Sequence, residues 1–237
     1  MQYFGGKQRI SKSLSQYLNG QLKDNQPFVD LFCGSCNVIS KINDNRLKIA
    51  NDKHKYLMKM WKELQNGYEL PNEISEEEYQ YIKNHKEEDM CLTGFVGFGC
   101  SFAGKWFGGY ARNKKGDNYC LRSKKSTMNK SKKMKTVVFC NEDYKDVKIP
   151  EGSMVYCDIP YLNTTQYCSR EVGKFDHNEF YQWVRDNCSK YEIYVSEYEC
   201  NKPEDFEIVW KTSSRKSIRD KNNTAVETVE VLLKYKN

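Results

Sequence analysis

The stretch Val155-Tyr156-Cys157-Asp158-Ile159-Pro160-Tyr161 places a carboxylate, a proline and an aromatic ring directly after a β-rich run. An open α/β sheet binds its ligands at the carboxyl ends of its strands. Asp158 could accept a hydrogen bond from the exocyclic amine of a nucleobase, and the Ile159 carbonyl could accept the second amine hydrogen. Tyr161 could stack on a base that has left its helix, and Pro160 would restrict the backbone. We therefore predict Asp158, Ile159, Pro160 and Tyr161 as catalytic residues.

This segment resembles the Asp-Pro-Pro-Tyr motif of amino-methyltransferases that act on DNA, with Ile159 in place of the first proline. Ile159 still supplies a carbonyl, but it restricts the backbone less than proline does. A strand-ending turn is the alternative for so short a pattern, because Asp and Pro are both frequent in turns. The resemblance implies S-adenosylmethionine as the methyl donor.

The composition of the 237 residues suits one large domain or a core with a smaller insert. Charged residues make up 30% and prolines number 5, which indicates a folded globular protein rather than a disordered one. No apolar run approaches the roughly 18 residues that span a membrane, and the first residues lack a signal-peptide pattern. We expect a cytoplasmic protein of a bacterial or phage-infected cell that does not act at a membrane.

Ten cysteines are scattered at irregular spacings, and only Cys33 and Cys36 form a C-x-x-C pair. We expect them to be reduced, as in other intracellular proteins. The three histidines have no close spacing, so we predict no metal site. The chain also lacks a Pro-Cys dipeptide, which excludes the thiol nucleophile that a cytosine-C5 methyltransferase needs.

Two glycine-bearing segments indicate where a nucleoside cofactor would bind. Tyr3-Phe4-Gly5-Gly6-Lys7 opens the chain, and Lys7 can reach a carboxylate or a phosphate. A flexible start with a solvated lysine is the alternative. Residues 27–35 predict a buried strand followed by a glycine turn, with a helix beginning in residues 37–43. Such a turn lets a ligand approach the positive end of the helix.

The second of these segments resembles motif I of S-adenosylmethionine-dependent methyltransferases, Phe-x-Gly-x-Gly after an acidic strand, with Cys36 at the second glycine position. A rival hypothesis comes from the same residues. The run Phe32-Cys33-Gly34-Ser35-Cys36 has the strand, C-x-x-C and helix arrangement of thioredoxin-like oxidoreductases, in which a helix start lowers the pKa of a thiol. That fold would leave the remaining chain unexplained.

Residues 47–52 predict a second strand, which ends in Asp52 about 20 residues after the glycine turn. A carboxylate at this spacing can bind the ribose hydroxyls of a nucleoside cofactor. The alternative is that Asp52 caps a helix over residues 55–64. We favour the ribose role, because Lys7 and Asp158 are also candidate residues of a cofactor site.

The middle of the chain, residues 56–135, has a different character. Residues 94–110 are rich in glycine and aromatics, and residues 112–135 are strongly basic, with Asp117 as the only acid. Dense basic residues beside aromatics suit a phosphate-binding surface, although a charge run is usually only solvated. A tight turn predicts a β-hairpin over residues 112–119 that would enter a DNA groove. The predicted DNA-binding residues are Lys105, Arg112, Asn113, Lys114, Lys115, Asn118, Arg122, Lys124 and Lys125.

The remaining chain returns to alternating strands and helices. The predicted segments are a strand over 136–140, a polar cover for the target base over 162–174, a helix beginning near Asp176 with Glu179 three residues on, strands over 191–198 and 228–233, and a basic loop over 213–219.

In their order, these segments resemble the Dam-like DNA adenine-N6 methyltransferases of the alpha group, class D12, over nearly the whole chain. The resemblance implies an α/β fold with a Rossmann-like methyltransferase sheet in residues 1–55 and 136–237. It also implies an inserted, mainly helical DNA-recognition subdomain in residues 56–135 that carries a β-hairpin. Residues 112–119 resemble the recognition hairpin of these enzymes, but Asn118-Tyr119 reverses their aromatic-Asn pair.

The resemblance further implies the site and the partners. The residues expected to bind S-adenosylmethionine are Tyr3, Lys7, Asp30, Phe32, Gly34, Asp52, Asp143, Tyr144 and Asp158. The substrate would be double-stranded DNA, methylated on a flipped adenine by direct in-line transfer, without a metal and by a monomer or weak dimer. Cytosine-N4 methylation, RNA methylation and a catalytically silent DNA-binding module are the alternatives.

Overall fold

The apolar runs predicted as strands are buried at the centre of the structure. Every residue of Phe28–Asp30 and Met154–Cys157 is buried, as expected for parallel strands covered on both faces. The computed structural model describes residues 1–162, 172–219 and 225–236, and the side chains of residues 214–228 are outside this description.

The strands are β1 (Phe28–Asp30), β2 (Lys48–Asn51), β3 (Val137–Cys140), β4 (Met154–Cys157), β5 (Glu192–Tyr198), β6 (Phe206–Arg219) and β7 (Ala225–Tyr235). Within the described residues they form one sheet in the order β3-β2-β1-β4-β5-β7-β6. Strands β1 to β5 are parallel, and β7 runs antiparallel to both β5 and β6. The first five follow the order of a Rossmann-like sheet, which confirms the predicted α/β fold class. Parallel strands also bring the residues that follow β1, β2, β4 and β5 to one edge.

The helices are α1 (Ser11–Gln21), α2 (Lys55–Gln65), α3 (Glu76–Asn84), α4 (Met90–Gly99), α5 (Tyr119–Ser131) and α6 (His177–Asn187). In the chain, helices α2 to α5 come after β2 and before β3. The cap of α2 is His54, whose Nδ1 accepts a hydrogen bond from the Leu57 amide, so the alternative of Asp52 as the cap is wrong. Helix α6 begins where it was predicted, with the Asp176 side chain accepting hydrogen bonds from the first-turn amides. Within the described ranges, no helix is both long enough and apolar enough to cross a membrane.

Alternate residues of the central strands enter two hydrophobic clusters on opposite faces of the sheet. On β4, Met154 and Tyr156 belong to one cluster, and Val155 and Cys157 belong to the other. The first cluster includes residues of α1, α2 and α4, so helices between β2 and β3 share a core with the sheet. The second includes residues of α6. Burial on both faces fixes the register, because a slip of one residue would exchange the two sets.

The predicted β-hairpin over residues 112–119 is wrong. The Asn113 side chain accepts hydrogen bonds from the amides of Lys115 and Asp117, both at 3.1 Å. This side-chain turn takes the backbone groups that a hairpin ladder would pair. The chain then enters α5 at Tyr119.

Two shorter predictions also need correction. Residues 37–43 contain only the 3₁₀ turn Ile39–Lys41, because the Lys41 ammonium bonds to the Asn37 carbonyl that an α-helix would pair with the Lys41 amide. Residues 213–219 belong to β6 rather than to a loop, because they pair with β7. Most of the predicted cover over the target base, residues 163–171, lies outside the described residues.

A glycine in α4 lets this helix pack closely against α2. A Cβ atom at Gly94 would lie 2.2 Å from the carbonyl oxygen of Tyr56. Three aromatic side chains of the glycine-rich stretch are buried in the core rather than exposed beside the basic run: Phe95, Phe98 and Phe107. The composition of this stretch therefore reflects close packing more than a binding surface.

We expect Gly94→Ala to lower the free energy of unfolding by about 1 to 3 kcal/mol, because the added methyl group pushes α4 away from α2. Gly20→Ala in α1 is the matched control, since a Cβ atom there meets nothing within 4 Å. That control should leave stability unchanged or raise it by up to about 1 kcal/mol. Urea unfolding followed by circular dichroism measures both variants, and equal stability of Gly94→Ala and the wild type would contradict the close packing.

Candidate functional site

Three acidic residues meet at the carboxyl edge of the parallel strands. Asp30 ends β1, Asp52 follows β2 and Asp158 follows β4. Asp30 is 1% exposed, and burial raises its pKa well above the ordinary value, with the charges of Asp158 and Asp52 adding to the effect. Burial also raises the pKa of Asp52, although hydrogen bonds from the amides of His54 and Gly34 partly offset it. The edge therefore concentrates carboxyl groups, with Asp30 beneath its surface.

Lys7 joins the first segment of the chain to this edge. Its ammonium lies 2.6 Å from Asp158 Oδ1 and 3.7 Å from Glu230 Oε2 of β7. The same nitrogen lies 4.2 Å from the centroid of the Tyr161 ring, in contact with its aromatic face. The Lys7 side chain is only 5% exposed, so water screens this ion pair less than it screens a surface pair. The structure thus brings together Lys7 and Asp158, which the sequence predicted at one site.

Side chains from other elements hold the residues that follow Asp158. Ile159 is buried, and the Pro160 carbonyl lies 2.7 Å from Nε2 of His177. The Tyr161 hydroxyl donates to Glu230 Oε2 at 3.5 Å. These contacts fix the backbone of the segment although Ile159 replaces the first proline of the related motif.

Glu197, near the end of β5, anchors the next residue. Its Oε2 accepts a hydrogen bond from the Leu162 amide at 3.1 Å, and its Oε1 accepts from the Tyr198 amide at 2.7 Å and from Asn201 Nδ2 at 3.0 Å. Burial raises the pKa of Glu197, and these hydrogen bonds partly offset the rise. A buried carboxyl group with this many donors is a rigid support for the segment.

The sequence identified none of the three supporting residues, His177, Glu197 and Glu230, as part of the site. Glu197 had a weak signal, because it is polar and lies near the carboxyl end of a predicted strand. Glu230 had none, because it lies between two valines in an ordinary strand alternation. Only the placement of β7 beside β5 brings Glu230 to Lys7.

The glycine turn after β1 lies against Tyr3. Gly34 has a φ of +46°, and a Cβ atom there would lie 3.0 Å from Cε1 of the Tyr3 ring. Cys36, at the second glycine position of the related motif, has a φ of +55°. A side chain in this left-handed region costs roughly 1 kcal/mol or more, which the surrounding contacts must offset. The Gly34 amide donates to Asp52 Oδ2 at 2.9 Å, so the turn is bonded to the acid that follows β2.

Lys130 reaches the same turn from α5. Its ammonium donates to the Ser35 carbonyl at 2.6 Å and to Asn37 Oδ1 at 2.7 Å. Burial lowers the pKa of Lys130 to about 8, and the nearby charge of Lys41 adds to this effect. No feature of the sequence separates Lys130 from the basic run around it.

The surroundings of Asp52 fit a nucleoside cofactor. Its carboxylate accepts amide hydrogen bonds from Gly34 and His54, both at 2.9 Å, and a carboxylate retains further lone pairs for ribose hydroxyls. Phe32 is partly exposed beside the turn, and its ring centroid lies 5.6 Å from that of Tyr144. An acceptor for hydroxyls and a partly exposed aromatic ring thus both lie next to the glycine turn.

Two other predicted cofactor residues are already engaged within the protein. Asp143 forms an ion pair with Lys53 at 2.9 Å. Burial alone would raise the pKa of Asp143, but the hydrogen bond and charge of Lys53 and the amide of Lys145 hold it below the ordinary value. Tyr144 is buried, which raises the pKa of its hydroxyl. Their contact with S-adenosylmethionine stays a prediction.

The C-x-x-C pair lacks the properties of redox thiols. Cys33 and Cys36 are both buried, and burial raises the pKa of Cys33 well above the ordinary value. A raised pKa opposes formation of the thiolate that disulfide exchange needs. The turn is also not followed by an α-helix that would lower it. In the described parts of the chain, no group of three or more His, Cys, Asp or Glu side chains is placed to hold a metal ion.

Several predicted DNA-binding residues make contacts within the fold. Arg112 forms an ion pair with Glu76 of α3 at 2.6 Å. Asn118 caps α5 by accepting a hydrogen bond from the Leu121 amide at 2.8 Å, and Asn113 closes the turn before it. These three residues therefore stabilise the local structure of the basic region through contacts within the protein.

The other predicted DNA-binding residues differ in how much they are exposed. Lys114, Lys115 and Lys125 are exposed, and Arg122 is 65% exposed with Asp117 at 3.7 Å. Lys124 donates to the side chain of Asn72 at 2.9 Å, and the Lys105 ammonium lies 5.1 Å from the centroid of the Phe4 ring. The exposed lysines give the region its available positive charge.

Residues 3–95 match the model of the D12 class N6 adenine-specific DNA methyltransferase family. The match confirms, over those residues, the family that the sequence predicted. The matched residues contain Lys7, the glycine turn and Asp52.

Solved structures that match this chain share little sequence with it. The rRNA methyltransferase aviRa from Streptomyces viridochromogenes is 12% identical with a TM-score of 0.42, over 95% of this chain and 84% of that one. An rRNA methylase from Streptococcus thermophilus is 9% identical with a TM-score of 0.39, over 97% and 98%. Trm5 from Methanocaldococcus jannaschii, solved with adenosine, is 12% identical with a TM-score of 0.39, over 95% of this chain and 48% of Trm5. This chain thus spans about half the length of Trm5, and similarity at this level says nothing about its substrate.

We expect Lys130→Met to weaken S-adenosylmethionine binding about tenfold, because the turn at Ser35 and Asn37 loses two charged hydrogen bonds. Lys132→Met is the matched control, since Lys132 is exposed at the end of α5. Isothermal titration calorimetry gives both dissociation constants. An unchanged constant for Lys130→Met would show that Lys130 does not position the turn.

Proposed function

We propose that this chain, whose residues 3–95 match the D12 class N6 adenine-specific DNA methyltransferases, transfers a methyl group from S-adenosylmethionine to the N6 amine of adenine in double-stranded DNA. The observation that carries the proposal is the 2.6 Å ion pair between Lys7 and Asp158. Lys7 lies inside the matched residues and Asp158 lies outside them. The pair therefore joins the matched part of the chain to the acid-x-Pro-aromatic segment.

In the proposed mechanism, Asp158 and the carbonyl of Ile159 accept the two hydrogens of the adenine amine. The lone pair of this nitrogen is delocalised into the ring, so fixing both hydrogens turns the nitrogen toward the methyl donor. Bound S-adenosylmethionine supplies a methyl group activated by its positively charged sulfonium. Asp158 then accepts the proton that the methylated nitrogen releases. Tyr161 stacks on the flipped base.

Positioning supplies most of the rate in such a reaction, because aligning two bound reactants is worth roughly 7 to 11 kcal/mol. The contacts to the Asp158 segment support this role. Lys7 holds the carboxylate, His177 holds the Pro160 carbonyl, and Glu197 holds the amide of Leu162. We assign Lys7 to holding Asp158 rather than to a direct cofactor contact.

The proposed cofactor site is the glycine turn with the residues around it. Asp52 would accept hydrogen bonds from the ribose hydroxyls, Gly34 would allow close approach of the ligand, and the ring of Phe32 would lie beside the adenine. Asp30 is buried below this surface, so it would act through its position and not by contact.

We assign DNA recognition to residues 56–135, where the exposed lysines and Arg122 would contact phosphates. Because the predicted hairpin is absent, base readout would come from the turn over residues 113–117 and the first turn of α5. A monomer or weak dimer in the cytoplasm of a bacterial or phage-infected cell remains the predicted context.

Asp158→Asn should lower methyl incorporation into DNA at least about 100-fold, because the neutral amide accepts hydrogen bonds and protons less well than the carboxylate. DNA affinity should stay near the wild-type value, since phosphate contacts lie elsewhere. Labelled-methyl transfer and a gel-shift titration measure the two properties. Asp24→Asn, at an exposed site near the end of α1, is the control.

Activity of Asp158→Asn close to that of the wild type would remove Asp158 from the mechanism. Digestion of the product DNA then identifies the methylated base. N4-methylcytosine in place of N6-methyladenine would replace the proposed substrate while keeping the same site.

Replacing Lys114, Lys115 and Lys125 together by Gln should flatten the dependence of DNA affinity on salt concentration, by up to about 0.9 in logarithmic slope for each phosphate that the protein no longer neutralises. The control is the triple replacement of Lys12, Lys148 and Lys190, which are exposed outside residues 56–135. Fluorescence anisotropy of labelled duplex DNA at several salt concentrations gives the slopes. Equal slopes for the two triple variants would mean that the basic region is only solvated.

A further inference from the structure

Two cysteines outside the candidate site, Cys100 and Cys120, lie side by side. Cys100 follows the last residue of α4, and Cys120 is the second residue of α5. Both are free, buried thiols, and a hydrogen bond joins their side chains. Neither residue has a place in the proposed mechanism. The chain therefore holds an adjacent pair of thiols that the proposed function does not explain.

The packing of α4 against α5 keeps the two cysteines together. The Ser123 hydroxyl donates to the Gly99 carbonyl at 2.6 Å, and a Cβ atom at Gly99 would lie 3.1 Å from that of Ser123. Gly99 directly precedes Cys100, and Ser123 lies about one helical turn after Cys120. The Cys100 carbonyl also accepts a hydrogen bond from the Ala111 amide at 2.9 Å. These contacts hold the pair in place without using its sulfur atoms.

The two thiols differ in acidity. The hydrogen bond with Cys100 lowers the pKa of the Cys120 thiol, burial partly offsets this effect, and the charge of Lys124 lowers the pKa further. Cys120 also lies in the first turn of α5, where the helix dipole favours an anion. The same hydrogen bond, together with burial, raises the pKa of Cys100. A thiol that ionises readily beside a protonated partner is the arrangement of an attacking and a resolving cysteine.

A bond between the two sulfurs would close the loop of residues 101–119. Because the ends of this loop already meet at the two cysteines, closure restricts the loop without a rearrangement of the helices. The loop carries six of the nine residues predicted to contact DNA: Lys105, Arg112, Asn113, Lys114, Lys115 and Asn118. Disulfides in intracellular proteins are usually transient and often redox-sensing, which suits a bond that restricts a binding loop.

We propose that Cys100 and Cys120 are a peroxide-sensitive pair that converts reversibly to a disulfide and thereby closes the loop of residues 101–119. Hydrogen peroxide is the class of oxidant that fits, because Cys120 is only 5% exposed and admits a small molecule. Formation of the disulfide does not require the proposed function. Only its effect on DNA contacts rests on that function.

The reaction has two steps. The Cys120 thiolate attacks one oxygen of hydrogen peroxide, the O–O bond breaks, and the released hydroxide takes a proton from solvent to form water, which leaves Cys120 as a sulfenic acid. The Cys100 sulfur then attacks the Cys120 sulfur, and the hydroxyl group leaves with the Cys100 proton as a second water. The two sulfurs together lose two electrons and the peroxide gains them. A dithiol reductant reverses the reaction by thiol–disulfide exchange.

Disulfide mapping is the first measurement. The reduced protein is treated with a small excess of hydrogen peroxide, the remaining thiols are alkylated, and the digest is read by mass spectrometry without reduction. The peptides that contain Cys100 and Cys120 should be linked, with the loss of two hydrogen atoms. Alkylated thiols at both positions, or a sulfinic acid at Cys120 beside an alkylated Cys100, would overturn the pair.

Cys33 and Cys36 provide a comparison within the same digest. They are also buried and hydrogen-bonded to each other, but burial raises the pKa of Cys33 well above the ordinary value, and no α-helix begins beside them. Their linkage should be at least about 10-fold slower than that of Cys100 to Cys120. An equal or faster rate would contradict the assignment of Cys120 as the reactive thiol.

Thermal unfolding followed by circular dichroism is the second measurement. The oxidised wild type should unfold about 3 to 10 °C above the reduced protein, because the cross-link restricts the unfolded chain. Cys100→Ser and Cys120→Ser should each lose this shift, whereas Cys188→Ser, at the end of α6, is the matched control and should keep it. A linked protein with an unchanged or lower midpoint would refute a disulfide that fits the native fold. Neither measurement uses DNA, so absence of methyl transfer would refute the proposed function and leave the redox pair intact.

Discussion

The buried ion pair between Lys7 and Asp158 is the constraint on which the site depends. One partner comes from the first seven residues and the other from the end of β4, so the pair exists only if the first segment lies on the strand edge. Removing one member of such a pair leaves the other charge uncompensated, which typically costs roughly 3 to 5 kcal/mol. Further contacts hold the first segment in place, including the packing of Tyr3 on Gly34 and the bond from Phe4 to Gly104.

Two of the helices that follow β2 in the chain are hydrogen-bonded to the glycine turn. Lys130 of α5 bonds to Ser35 and Asn37, and the indole nitrogen of Trp61 in α2 donates to the Gly34 carbonyl at 3.1 Å. Both helices thus contact the loop that precedes the ribose-binding position of a Rossmann-like sheet.

Two of the predictions that were wrong share a physical cause. The hairpin over residues 112–119 and the helix over residues 37–43 were both inferred from local composition. In each case a side chain, Asn113 or Lys41, forms a hydrogen bond with a backbone group that regular structure needs. The aromatics of residues 94–110 were assigned by proximity in sequence to the basic run, yet close packing around α4 buries three of the six. Composition reports what a segment contains, and packing decides which face it presents.

The sequence by itself determined strands β1 to β5 and β7 of the sheet and the positions of the glycine turn, Asp52 and the Asp158 segment. These follow from local periodicity and from residue types placed at strand ends, which act over a few residues. The tertiary structure alone decided which charges meet. Glu230 supports Lys7 because β7 inserts antiparallel beside β5, and Lys130 reaches the glycine turn because α5 packs against it. Such contacts join residues far apart in the chain, so no local pattern encodes them.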